Sequence, residues 1–210
     1  DLAKSQIVYT LTECENIFKV NITVEGEPYE ILLERPPFIN LKNPEEYEKD
    51  KSNPLEMSKY LTIYYADKNK EYLIPVTIKS DKIESETENS DKRSMVKVED
   101  KARAALQHLI EGTSKIESLE TLDVKMIKSL RLDDGIAVVD LDKTRILIDF
   151  GTKTQYAEIA VESVVRTLTS IGGIEKVQFL VGGVTWGNVT GDLSLKKPIE
   201  PDRWYNILTD

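Results

Sequence analysis

The tightest constraint on this chain is that one stretch of it occurs twice. Residues 7–26, IVYTLTECENIFKVNITVEG, align without a gap on residues 164–183, VVRTLTSIGGIEKVQFLVGG. Thr10-Leu11-Thr12 falls on Thr167-Leu168-Thr169, Lys19-Val20 on Lys176-Val177 and Gly26 on Gly183, a constant offset of 157 residues. That spacing far exceeds the repeats of solenoids and propellers, so it implies duplication of a whole domain. The sequence therefore reads as opening within a first copy. The later copy is the more legible. Tyr156, Ile159, Ala160, Val164, Leu168 and Ile171 recur at spacings of three and four, which predicts a helix with one buried stripe starting at a Thr154 cap. Gly172-Gly173 stops that helix, and Ile174, Val177, Phe179 and Val181 form a strand after it.

By pairing with that copy, residues 5–14 are expected as a helix and 17–24 as a strand, followed by a terminal strand and docked tail over PYEILLERPPFINL. Pro44 and Pro54 bracket a charged stretch read as a linker, residues 42–58. A complete second domain then runs over 59–210. KYLTIYYA and EYLIPVTIKS form a hairpin with Leu61, Ile63, Tyr65, Leu73, Val76 and Ile78 inward, and Pro75 places its strand at an edge or a bulge. Residues 81–97 are polar and aperiodic, the pattern of a mobile loop. Val98–Glu111 forms an amphipathic helix ended by Gly112. Two strands joined at Asp133-Asp134-Gly135 follow, with Val124, Met126, Ile136 and Val138 inward, and a short strand at ILIDF is a further expectation. The order β-β-α-β-β-α-β, with two helices on a mixed sheet, makes the fold class α+β. A lone helix and strand cannot bury both sides of their apolar stripes. Residues 1–41 are thus expected to dock on the second domain, to swap between chains or to pair with a preceding segment, the last being the reading adopted.

Charge and composition narrow the function. A net charge of −9 and a pI of about 4.9 oppose sequence-independent binding to nucleic acid or anionic lipid. No apolar run reaches the roughly 20 residues of a membrane-spanning helix, so direct membrane insertion is not expected. Cys14 is the single cysteine, read as a half-buried filler in the helix-to-strand turn, and no disulfide framework or multi-cysteine metal site can be built.

Candidate chemistry is sparse. His108, the single histidine, falls opposite Leu106 on its helix and is read as solvent-facing. Asp140 and Asp142 share one strand face, with Asp149 nearby; they could serve acid–base chemistry or a cation, though a solvated strand end is favoured. The glycines of VGGVTWGNVTG lack the spacing of a phosphate cradle and are read as turns, and the Asn21 and Asn188 glycosylation triplets carry no weight. No catalytic, cofactor or metal residue is assigned. Trp186, Trp204 and Tyr205 are the candidate contact residues, weighed against packing on their own domain.

In order and spacing, LTIYYADKNKEYLIPVT, KARAALQHLIEG, LRLDDGIAVVDL and ESVVRTLTSIGGIEKVQFLVGG resemble the GerM-domain family of spore-forming bacteria. The longer acidic loop at 81–97 and the incomplete first copy depart from it. The resemblance implies a tandem-domain lipoprotein on the outer face of the mother-cell membrane, with its anchor outside this sequence. It also implies a role in building or anchoring a trans-envelope complex between mother cell and forespore. The fold is similar to ring-building domains, which implies protein partners, homo-oligomers or a ring, and no catalysis or cofactor. The rival readings are a cell-wall glycan-binding module, needing clustered exposed aromatics, and a carboxylate hydrolase using Asp140, Asp142 and Asp149.

Overall fold

The structure is a computed structural model and describes residues 2–14, 16–34, 40–67, 69, 71–83, 96–112, 126–144, 154–190, 193–202 and 205–206. The chain forms two compact units, residues 1–39 and 40–210.

The first unit is a helix, α1 (Leu2–Thr12), and a hairpin of β1 (Lys19–Val24) and β2 (Glu27–Glu34). Its Glu25-Gly26 turn has positive φ at both residues, the geometry that matches the twist of a tight hairpin. Val8 and Val20 are its buried apolar residues among those described. The hairpin register is irregular around Ile22, and the Leu32 N–H, at positive φ, donates to Asn21 Oδ1 at 2.7 Å.

The second unit opens with two short helices, α2 (Pro44–Asp50) and α3 (Pro54–Met57). The stretch expected as a linker is thus folded into this unit. Tyr47 is buried and meets Tyr60 edge-on at 5.6 Å. The signal for both helices is in the sequence: each starts Asn-Pro with a Glu in its first turn, and the Asn53 side chain accepts from the Leu55 and Glu56 N–H groups.

Next come β3 (Tyr60–Ala66) and β4 (Leu73–Lys79), antiparallel, then α4 (Val98–Glu111), with Gly112 at φ 68 ending it. Leu61, Ile63, Tyr65, Leu73, Val76 and Ile78 are all buried, as expected. Residues 84–95, most of the expected mobile loop, lie outside the described residues, as do Val124 and ILIDF. Pro75 sits opposite Tyr64 in an unbroken register, so there is no bulge. The Tyr64 N–H and C=O turn away from β4 to side chains of a later helix, so the Tyr64–Pro75 pair exchanges no ladder bonds and the missing proline donor costs nothing.

A three-stranded mixed sheet completes the unit: β5 (Ile127–Asp133), β6 (Ile136–Leu141) antiparallel to it, and β7 (Lys176–Val181) parallel to β6 after the crossover helix α5 (Thr154–Thr169). Asp134-Gly135 makes the expected two-residue turn, with φ 45 and 77. Two small strands, β8 (Asn188–Thr190) and β9 (Leu193–Ser194), follow. The described strands thus form separate sheets rather than one. On β6 the residues in the main core are Ala137, Val139 and Leu141, not the expected Ile136 and Val138. β6 is the middle strand and apolar on both faces, so alternation could not decide which side met the helices.

The duplication holds at the level of single bonds. Across the offset of 157, Glu13 N–H to Tyr9 O, Cys14 N–H to Leu11 O and Ile17 N–H to Cys14 O recur as Ser170 to Arg166, Ile171 to Leu168 and Ile174 to Ile171. The hydroxyls of Thr12 and Thr169 donate back to the carbonyls of Val8 and Val165. Left-handed backbone recurs at Asn16 and Gly173, Glu25 and Gly182, Gly26 and Gly183.

Candidate functional site

Helix α5 is the centre of the second unit. Of the expected stripe, Ala160, Val164, Leu168 and Ile171 are buried, Ile159 is half-buried and the Tyr156 side chain lies outside the described residues; burial extends well beyond it, to Ser163, Arg166 and Thr167 with Val161 and Val165. Burying polar groups demands partners, and these are found on β3. The Tyr64 N–H donates to Thr167 Oγ1 at 3.0 Å, Ser163 Oγ donates to Tyr64 O at 2.5 Å and Ser170 Oγ to Thr62 O at 3.1 Å. Three hydroxyls thus close a strand edge that would otherwise be open to pairing. Arg166 pairs with Glu162, donates to the Asp202 carbonyl and stacks 4.1 Å from the Tyr205 ring. Burial raises the Glu162 carboxyl above its usual range, against the pull of Arg166.

Of the three candidate contact residues, Trp204 lies outside the described residues. Tyr205 meets Tyr64 edge-on at 5.8 Å, in a tail that is hooked on by Asn206, whose amide exchanges two bonds with the Leu73 backbone. Trp186 packs on the core and lines a shallow cavity of about 320 Å³ with Lys143, Gly182 and Val184; the Lys143 ammonium is 5.8 Å from its ring. Both described aromatics are half-buried and have different neighbours.

His108 does not face solvent as the helical wheel suggested. Its Nε2 lies 2.9 Å from the buried Ser80 Oγ, because the start of the β4-to-α4 connection folds back over the last turn of α4. Burial lowers its pKa, with Lys82 and Lys42 adding to that effect and Asp81 and Glu111 opposing it. The trio Ser80, His108 and Asp81 is no catalytic triad. Asp81 approaches the same ring nitrogen as the serine, at 3.8 Å, whereas an orienting carboxylate must hold the other nitrogen. The Ser80 hydroxyl also accepts the Lys82 N–H.

The carboxylates do not converge either. Asp140 Oδ1 accepts the Gly183 N–H at 2.8 Å, while Asp142, one residue past the strand end, holds the Thr144 N–H and faces Lys128 at 3.6 Å. Asp149 lies outside the described residues, and among those described no three potential metal ligands cluster. A charge cluster that sequence reasoning missed centres on Lys79, which meets Asp50 at 2.8 Å, Glu56 at 2.6 Å and Glu46 at 3.4 Å, binding α2 and α3 to β4. Hydrogen bonds to Asp50 and Glu56 hold the Lys79 ammonium well above its ordinary pKa. Burial, then the bond to Asp50, pushes Tyr60 up to about 12.

In the first unit the surface is unlike that of the second. Of the ten exposed large apolar side chains among the described residues, eight lie in residues 1–39: Ile7, Leu11, Ile17, Phe18, Val24, Tyr29, Ile31 and Leu32. Cys14, expected half-buried, is exposed.

Residues 62–185 match the sequence model of a family named Germane and described as sporulation and spore germination. No curated protein sequence matches the chain. Among solved structures, the tandem GerMN domains of the sporulation protein GerM from Bacillus subtilis are similar over 97% of this chain and 68% of that one, at 21% identity and a TM-score of 0.51. The first GerMN domain of that protein is similar over 68% of this chain and 95% of that one, at 22% identity and a TM-score of 0.44. A candidate lipoprotein of Clostridium perfringens covers 67% and is itself covered over 86%, at 23% identity and a TM-score of 0.42. At such identities the likeness is one of fold. The family match, by contrast, takes in most of β3 and everything through β7, more than half of the sequence, and the chain belongs to the Germane family of sporulation and spore germination proteins.

Proposed function

We propose that this protein is a non-catalytic assembly component of sporulation. In this reading it is exported, held at the outer face of the mother-cell membrane, and helps to build or anchor a trans-envelope complex by contacts between its small α+β domains, including ring-like self-association. Family membership supports the process, and the similar Clostridium perfringens chain is in keeping with an anchored, exported setting. The observation that carries the assembly role is the concentration of exposed apolar side chains on residues 1–39. Apolar side chains exposed in such number are surface for another polypeptide segment to cover, and none of them carries reaction chemistry. Ser80, His108, Asp140 and Asp142 are each engaged in holding the fold, which supports a role without catalysis.

Deleting the gene in its own host and scoring heat-resistant spores tests this. The expected result is a drop in spore yield, restored by the parent gene and equally by one carrying Asp140→Asn, Asp142→Asn and His108→Gln. It is not restored by a chain with Leu11→Asp and Ile31→Asp. Normal sporulation of the deletion strain overturns the process; failure of the triple variant, produced at parent level, overturns the non-catalytic reading.

A further inference from the structure

The loop after β7 presents the most exposed large apolar side chain among the described residues of the second unit. This is Val184, 65% exposed, and it lines the cavity of about 320 Å³ together with Trp186, Thr185, Gly187 and Lys143. Backbone bonds fix the loop at both ends: the Val181 N–H donates to Val184 O at 2.8 Å, and the Leu195 N–H to Gly187 O at 3.4 Å. The half-buried indole is thus a platform set in place before any ligand arrives. Across the offset of 157 residues, the Val181–Val184 bridge falls on the Val24–Glu27 pair and Trp186 falls on Tyr29, so an aromatic two residues past that bridge belongs to the repeated unit.

Positive charge gathers at the same place. The Lys143 ammonium stands 5.8 Å from the centre of the indole ring, and Lys196 Cε lies 3.6 Å from where a Cβ on Gly187 would be. Among the described residues neither lysine has a carboxylate partner, whereas Lys59, Lys79, Lys82, Lys128 and Lys176 each have one. The acids nearest in sequence to Lys143 are engaged: Asp140 holds the Gly183 N–H, and Asp142 holds the Thr144 N–H and Lys128. In a chain of net charge −9, two unpaired ammonium groups beside an indole and an exposed valine match a ligand with one apolar face and a negative charge. A strand of acidic peptide does not suit the place, because the outer edge of β7 is already taken by Val184 and Ile199.

We propose that the Trp186 cavity binds a pyranose ring bearing a carboxylate, as part of an acidic saccharide. The C–H face of the sugar lies on the indole and Val184, the electron-rich ring face meeting the weakly positive hydrogens. The carboxylate takes the Lys143 ammonium from the indole, with Lys196 as a second cation beside Gly187. One aromatic and two cations make this site, with no row of aromatics. The inference goes beyond the assembly reading and does not rest on it, since sugar binding and spore yield are read separately.

The full chain is titrated with glucuronate and with N-acetylmuramate, each beside its neutral counterpart, glucose and N-acetylglucosamine. The readout is the indole N–H resonance that Trp186→Leu removes. A carboxylated sugar is expected to bind at least about threefold more tightly than its neutral counterpart, the scale of one partly exposed ion pair. Binding by both acids, or by one alone, supports the proposal, and one alone shows whether the carboxylate belongs on the ring carbon or on a lactyl ether. Lys143→Met should erase the preference for the acid and keep the weaker shift caused by the neutral sugar. Val184→Asp, at a side chain already exposed, should abolish binding of the acids without moving the melting of residues 40–210. The proposal is overturned if neither acid shifts the resonance, if acid and neutral sugar bind equally, or if Lys143→Met leaves the preference intact. An equal shift with acetate or with a diglutamate peptide also overturns it, by making the cavity a contact for any anion or for an acidic peptide.

Discussion

Replacing Thr167 by valine tests whether side-chain hydroxyls really close the β3 edge. The substitution keeps the branched shape inside a site with no exposure and removes only the acceptor of the Tyr64 N–H. Tyr64 is opposite Pro75 in a pair without ladder bonds, so its N–H is aimed at Thr167 and away from β4. A partly buried donor stripped of its acceptor costs about 1–2 kcal/mol. For a unit of this size, each kcal/mol moves the melting temperature by about 2–4 °C, so Thr167→Val should melt about 2–8 °C below the parent. Trp186, packed on the core of this unit, gives a fluorescence readout, and amide exchange at Tyr64 gives a local one. Ser163→Ala removes the donor to the carbonyl of the same Tyr64, so the double variant should lose less or more than the sum of the singles. If Thr167→Val melts within about 1 °C of the parent and Tyr64 keeps its protection, the edge is not held by hydroxyls and the reasoning fails.

Three further outcomes follow from the geometry. His108 is held below its ordinary value of 6.5 by burial, so the neutral form is the native one; its stabilisation is complete above about 6.5 and declines as pH falls toward the lowered folded value, and His108→Gln should abolish that decline in melting curves taken from pH 7.5 to 5. Lys79→Met leaves Glu46, Asp50 and Glu56 facing one another and should cost about 1 kcal/mol in urea denaturation at pH 7. Lys59 and then Lys79 lower the Glu56 pKa from 4.5, so the loss should shrink as pH drops below that value and the carboxylate is protonated. Gly173→Ala places a Cβ at φ 97 and should cost about 1 kcal/mol, whereas Gly173→Asn should cost less, because Asn16 already occupies the equivalent left-handed position of the first copy.

Local rules were legible wherever one signal dominated. Asp134-Gly135 demanded its turn, Gly112 ended α4, and the alternation in β3 and β4 marked the buried faces. Where two signals competed, the louder misled. The charges of residues 44–57 suggested a linker, although two Asn-Pro starts announced helices; what folds them is Tyr47 and the Lys79 cluster, which unites residues far apart in sequence. His108 was placed by a helical wheel, which ranks the faces of one helix but knows nothing of a connection returning over its last turn. Ser163 and Thr167 look like polar interruptions of an apolar stripe, and their bonds to β3 span about a hundred residues, beyond any local pattern. The repeat was the most informative feature. It identified the domain, and compared residue by residue it shows which face of the first unit is uncovered.

Residue-resolved amide exchange on the full chain most directly tests the central claim, that one helix–turn–strand unit occurs twice, covered in one copy and open in the other. The account predicts that Leu168, Val177 and Phe179 exchange at least about tenfold more slowly than their counterparts Leu11, Val20 and Ile22. Equal protection of the two sets would contradict it.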